Sequence, residues 1–260
     1  MAAGAVTLLL LASCSTGSIP DWEAPPGYSF TLTSPCGVQR FFGPLPITVS
    51  GDIVLSAEPA EIDRNWHLPL YAPTMEELID LARDAKLSAT DTVEVDVEDG
   101  TPKRIRIHAD ETTVGDDFCF DITDYVPGDI DLDIPDIYRQ ALDEACSLQQ
   151  DGCAPATQVS ETFIFEFQKT KTPLPDSVRS AVTAVFAEAT FIEPNAHTTG
   201  YLILLGPIRY ETADVVSVEA GVLCGDFCGA GGRWYLRHDG TWWSPIDPAE
   251  IGRQPERWDA

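Results

Sequence analysis

The sequence predicts an α+β protein of two small units, each an antiparallel sheet covered by one or two helices. Three observations carry this expectation. Apolar and polar residues alternate with the period of half-buried strands at Tyr28–Thr33, Val93–Val97 and Phe163–Phe167. Helix-start signals followed by an apolar stripe occur after Pro73 and at Pro175. An acidic, Asp-rich stretch separates the two sets, dividing the chain into a first domain (28–127), an acidic connector with a helix (128–160), a second domain (161–252) and a tail (253–260).

In the first unit, Tyr28, Phe30 and Leu32 alternate with Ser29, Thr31 and Thr33, the pattern of a strand with one polar face. Ile47–Val49 and Ile53–Leu55 flank Ser50-Gly51-Asp52 and read as a hairpin. Thr74-Met75-Glu76-Glu77 is a capping box: the Thr74 hydroxyl reaches the Glu77 amide and the Glu77 carboxylate reaches back. Leu78, Leu81, Ala82 and Ala85 then supply an apolar stripe. Val93, Val95 and Val97 alternate with Glu94, Asp96 and Glu98, and a Glu98-Asp99-Gly100-Thr101 turn leads to Ile105 and Ile107 among Arg104 and Arg106. Acids and bases thus face each other across neighbouring strands, which is the ordinary solvated face of a hairpin. A last strand runs from Phe118 to Tyr125, giving the order β-β-β-α-β-β-β.

That series, with Pro102 and Asp116-Asp117 in addition, resembles a family of uncharacterised bacterial secreted and lipoprotein domains over about residues 28–125. The resemblance implies the fold and an envelope setting, and no catalytic residue comes with it.

In the connector, Asp129-Ile130-Asp131-Leu132-Asp133 begins like a Ca²⁺ loop but does not finish as one. Ile134 stands where a glycine must turn the chain, and Gln140 where a bidentate Glu is required. The segment reads instead as an acidic cap for a helix over Pro135–Gln150, with Ile137, Ala141, Leu142 and Ala145 inward. In the second unit a helix from Pro175 buries Val178, Ala181, Val182, Val185, Phe186 and Ala189. Strands follow at Tyr201–Leu205, Val215–Leu223 and Arg233–Leu236, and His238-Asp239-Gly240-Thr241 turns the chain into Trp242 and Trp243.

Cys224–Gly232 is the most unusual local sequence. Its glycines lack the following helix that a phosphate loop needs, and two cysteines beside His238 fall short of four zinc donors. A disulfide-pinned loop is the reading preferred. The run from Cys224 to Leu236 is similar to endings of other uncharacterised bacterial secreted proteins, which implies a shared module and no known reaction.

The N-terminus sets the compartment. Val6–Ala12 is an apolar core of signal-peptide length, too short for the roughly 20 residues of a membrane-spanning helix. Leu11-Ala12-Ser13-Cys14 resembles the lipobox of bacterial lipoproteins, which implies removal of residues 1–13, lipidation of Cys14 and a Ser/Gly/Pro tether over 14–27. Met1–Val6 holds no Lys or Arg, so a longer true N-terminus is expected to supply the basic end of the signal. The other six cysteines suit an oxidising compartment, and sequence order pairs Cys36 with Cys119, Cys146 with Cys153, and Cys224 with Cys228.

Asp and Glu number 42 against 16 Lys and Arg, and the net charge of −26 excludes a nucleic-acid partner, which needs clustered cations. It also turns the body away from an anionic membrane surface, leaving the lipid to hold it there. Such an acidic exterior suits a salt-exposed setting, where screening shortens self-repulsion.

No nucleophile elbow, zinc-protease helix, Cys-x-x-Cys or phosphate fingerprint occurs. His67, His108, His197 and His238 are scattered among loops and strand ends, and Trp66, Trp234, Trp242 and Trp243 read mainly as packing residues. The expectation is a non-catalytic, lipid-anchored envelope protein without metal or cofactor. It would act as an interaction or structural module with an envelope protein partner. The alternative is a secreted hydrolase whose active site carries no signature.

Overall fold

The computed structural model describes residues 19–36, 43–51, 53–57, 72–88, 92–108, 117–130, 132–148, 158–165, 170–193, 201–224 and 229–259. Alternation builds the first layer. Strands β1 (Gly27–Thr33), β2 (Leu45–Ser50) and β3 (Ile53–Ala57) precede helix α1 (Met75–Leu87), and β4 (Thr92–Glu98), β5 (Thr101–His108) and β6 (Phe118–Gly128) follow it. The sheet order is β3-β2-β1-β6-β5-β4, antiparallel throughout. Asp99 and Gly100 both take positive φ, 49° and 78°, the pair that a two-residue hairpin turn requires.

Tyr28, Phe30, Leu32, Ile47 and Ile105 pack against Met75, Leu78, Ile79 and Ala82 of α1 in one core. Each of the larger side chains among these, once buried, contributes about 1.5–3 kcal/mol. The capping box is formed: Glu77 N donates to Thr74 Oγ1 at 3.1 Å and Thr74 N donates to Glu77 Oε2 at 2.8 Å. Tyr28 ties the sheet to the helix start, its hydroxyl accepting from Met75 N at 3.1 Å.

Cys119 lies between Phe118 and Phe120 and therefore on the face away from α1, and it is bonded to Cys36 with a Cα–Cα distance of 5.4 Å. Register explains the meeting. Thr33 pairs with Asp121, so the chain running past Pro35 comes alongside Cys119.

The second layer begins with α2 (Ile134–Ser147), then β7 (Gln158–Ser160), β8 (Thr162–Phe165), β9 (Thr170–Pro173) and α3 (Asp176–Val185). It continues with β10 (Thr190–Ile192), β11 (Leu202–Tyr210), β12 (Val215–Leu223), β13 (Gly229–His238), β14 (Trp243–Pro245) and β15 (Glu256–Asp259). The sheet runs β10-β7-β11-β12-β13-β14, with β15 also beside β13, while β8 and β9 form a separate hairpin. Its β10-β7-β11 side is parallel, unlike the rest, because the chain crosses from β7 to β10 through α3.

Four details differ from those read in the sequence. Helix α2, placed there in a connector, buries Ile137, Tyr138, Ala141, Leu142 and Ala145 in the second unit's core beside Val178, Val218 and Trp234. The tail contributes β15, which pairs with Ala230–Arg233. The glycine run is not a loop, since Gly229–Gly232 begin β13. Paired Gly221 and Gly231 are needed there because a Cβ on either would meet the Trp258 indole, at 2.6 and 2.4 Å. Helix α3 also ends at Val185, earlier than its apolar stripe, and buries only Val178 and Val182 fully.

Candidate functional site at the junction of the two sheets

The polar face of β1 is buried at Ser29 and half-buried at Thr31 and Thr33. Ser29 and Thr48, opposite each other on β1 and β2, are buried and share a hydrogen bond of 3.0 Å between their hydroxyls. They are covered by the second half of β11, whose Tyr210 N donates to Ser29 Oγ at 3.1 Å. Tyr210 reaches further in, its hydroxyl donating to Ile130 O at 2.7 Å while its ring lies against Gly27 and Gly128, which pair across β1 and β6. Side chains on either glycine would push the two units apart.

Beside this contact lies a cleft of about 220 Å³. Sheet one supplies Ser29, Thr31, Thr48 and Asp124 to its lining, and the second unit supplies Arg209, Tyr210, Glu211 and Arg253. A bulge shapes the first wall: the β1–β6 register shifts between Ser29 and Thr31, and there Asp124 takes a left-handed backbone, φ 51°. In the other wall, Arg253 Nη2 donates to Glu211 Oε2 at 2.7 Å. Two arginines and two acidic residues therefore share the lining of one cavity with the hydroxyl-bearing Ser29, Thr31, Thr48 and Tyr210.

The electrostatics behind Arg209 extend along the outer face of the second sheet. Burial lowers the Arg209 pKa from its ordinary value, and the Arg233 charge adds to this, while Glu219, Glu211 and Glu256 oppose it. Burial also works against Arg233, but the hydrogen bond and charge of Glu219, with the charge of Glu256, outweigh it and raise its pKa. Arg233 Nη2 is hydrogen-bonded to Glu219 Oε1, and its Nη1 lies 3.1 Å from Glu256 Oε1. Strand β15 thus brings in the second acid that holds this arginine.

The geometry falls on a recognisable segment. Residues 21–127 match the Family of unknown function (DUF6174). The match spans α1 and the first sheet up to Pro127, so the DUF6174-like part carries the hydroxyl wall and Asp124, and Arg209 and Arg253 come from beyond it. No curated protein and no solved structure matches the chain.

Several residues singled out in the sequence have other places. Cys14, Trp66, His67, Cys153, His197 and Cys228 lie outside the described residues. Cys146 and Cys224 are each disulfide-bonded. Asp133 caps α2, accepting from Asp136 N at 3.1 Å. His108 Nδ1 lies 3.5 Å from Asp117 at a strand end. His238 Nδ1 accepts from Gly240 N at 3.2 Å inside the hairpin turn, with its ring 5.1 Å from that of Trp243. Asp239 Oδ1 accepts from Trp242 N and Thr241 N, which lowers its pKa. Trp234 and Trp243 are core residues, and Trp242 is 61% exposed.

Sequence reasoning missed Arg209, Arg253 and Asp124. Read as letters, the strand holding Arg209 stops at Gly206-Pro207, but the chain resumes as strand across a bulge between Leu205 and Ile208. The renewed alternation of Ile208, Arg209 and Tyr210 was the available signal. Also unforeseen is the carboxyl pair Glu161 and Glu193, whose shared hydrogen bond raises the pKa of Glu161.

Proposed function

We propose that the protein is an exported binding module, held at the cell envelope by a lipid on Cys14, whose body takes a small zwitterionic ligand in the cleft between its sheets. One observation carries the reading: two units meet on buried polar residues and leave between them a cavity offering Arg209 and Arg253 together with Asp124 and Glu211. Guanidinium groups flanked by hydroxyls suit a carboxylate, and a carboxyl group suits an ammonium. A ligand with both signs is also the one that a body of net charge −26 neither repels nor concentrates at long range. Export is supported by the Cys36–Cys119 bond, which belongs to an oxidising compartment, and by the apolar run ending in Cys14. Among the described residues, no helix is long and apolar enough to cross a membrane.

Thermal unfolding of the purified protein with free amino acids and betaines, set against simple carboxylates and simple amines, tests the cleft. A ligand present at 100 times its Kd adds about 2.7 kcal/mol of stability. The zwitterions should raise Tm, and Arg253→Ala should remove the rise. Equal, absent or Arg253-independent shifts in all three classes overturn the reading. Mass analysis of the mature N-terminus from native membranes tests the anchor, with an unmodified or internal Cys14 counting against it.

A further inference from the structure

We propose that the free edge of β4 is a docking site for an extended peptide segment in which basic and apolar residues alternate. This surface is separate from the cleft and stands without it. Among the described residues, β4 ends its sheet and pairs only with β5, so its outer N–H and C=O groups form an unpaired row. What distinguishes the edge is the order of charge across the face turned from α1. Glu94 and Asp96 of β4 stand opposite Arg106 and Arg104 of β5, and Arg104 stands in turn opposite Asp121 of β6. The ladder is joined by real contacts: Arg104 Nε donates to Asp121 Oδ1 at 2.6 Å and its Nη1 lies 3.9 Å from Asp96 Oδ2. Acid, base and acid alternate strand by strand, and the next strand in that order is basic.

The opposite face of the edge is apolar. Val93 and Val95 are only partly covered by the core, Val97 is 43% exposed, and α1, which packs over β4 and β5, leaves Leu81 39% exposed. A strand added to β4 would therefore place its basic side chains beside Glu94, Asp96 and Glu98 and its apolar ones beside the valines. A second copy of this chain is a poor occupant, since pairing β4 with itself sets acid against acid on one face. The same charges that bar self-association select a cationic strand, and the overall charge of −26 speeds its arrival.

The test uses the full-length protein and a labelled ten-residue peptide of alternating Lys and Val. Its controls are an alternating Glu and Val peptide and the Lys-Val peptide with alternate backbone nitrogens methylated, which keeps the charge and loses the strand. Fluorescence anisotropy should show binding at least about tenfold tighter than to either control, and hydrogen exchange should slow at amides within Thr92–Glu98. Glu94→Gln with Asp96→Asn, two exposed changes, should weaken binding by about fivefold while the far-UV spectrum stays the same. Binding that survives backbone methylation, or leaves the β4 amides unprotected, overturns the proposal as mere charge attraction. Protection of β4 that grows with protein concentration in the absence of peptide overturns it in favour of self-pairing.

Discussion

A Cβ placed on Gly128 would sit 2.1 Å from Cε1 of Tyr210, and the two residues together fix how the second unit meets the first. The phenol ring occupies space that only glycine leaves, and its hydroxyl is satisfied by Ile130 O, two residues beyond that glycine. Gly128→Ala should cost about 1–3 kcal/mol through overpacking, and Tyr210→Phe about 1 kcal/mol through the lost hydrogen bond. Denaturant unfolding of both variants measures this. A neutral Gly128→Ala would mean that the ring does not hold the junction.

The Cys36–Cys119 bond closes a loop of 83 residues around most of the first unit. In the chain-entropy model its removal costs about 4.5 kcal/mol. Cys36→Ser with Cys119→Ser should therefore lower the denaturant midpoint strongly, and reductant, which also opens the bonds of Cys146 and Cys224, should lower that of the parent chain at least as far. Intact mass with and without reductant counts the bonds independently.

Much of the first unit was legible because its signals are local. The capping box at Thr74 and Glu77, the Asp99-Gly100 turn and the alternation of Tyr28, Phe30 and Leu32 each specify their structure within a few residues. What lies opposite a face is not local. Ser29 and Thr48 carry the same letters whether water or β11 covers them, so their burial and the cleft beside them had no sequence signature. The glycines of β13 illustrate the same limit: Gly231 reads as a loop until Trp258, far along the chain, is known to lie on it. Such pairing of glycine with a distant aromatic ring rescues a strand that propensity alone would reject.

Trp258 should accordingly matter more than a residue near a chain end usually does. It joins Ile164, Leu202 and Leu204 in a small core on the outer face of the second sheet. Trp258→Ala would uncover Gly221 and Gly231 and cost about 2 kcal/mol, given that the ring is only partly buried. Hydrogen exchange at β12 and β13 should rise near the glycines and not near His238. A uniform rise would show that the ring stabilises the whole sheet without a particular role at the glycines.

Alkaline pH should destabilise the protein through its buried phenols. Burial raises the Tyr28 pKa to about 12, and burial likewise raises those of Tyr138 and Tyr235. An acid whose folded pKa lies above its unfolded value of about 10 binds its proton more tightly when folded. Its contribution is whole below pH 10 and declines as pH climbs through the folded pKa. Each such group can add a slope of up to about 1.4 kcal/mol per pH unit in that window. Stability measured between pH 9 and 12 should fall, and Tyr28→Phe should make the fall shallower from a lower starting value.

Salt should act in the opposite sense. A chain with 42 acidic and 16 basic residues repels itself, and the repulsion is greater in the folded body, where the charges are closer together. The ion pairs Arg83–Asp80, Arg139–Asp136 and Arg237–Glu250 are exposed enough to lose some strength to salt, but each is worth less than about 1 kcal/mol. Screening of the net charge reaches every acidic side chain at once, since the Debye length falls to about 3 Å at 1 M. The net effect is therefore a Tm that rises between low and molar sodium chloride, with the steepest change at the low end. A flat or falling curve would show that local pairing outweighs global repulsion in this chain.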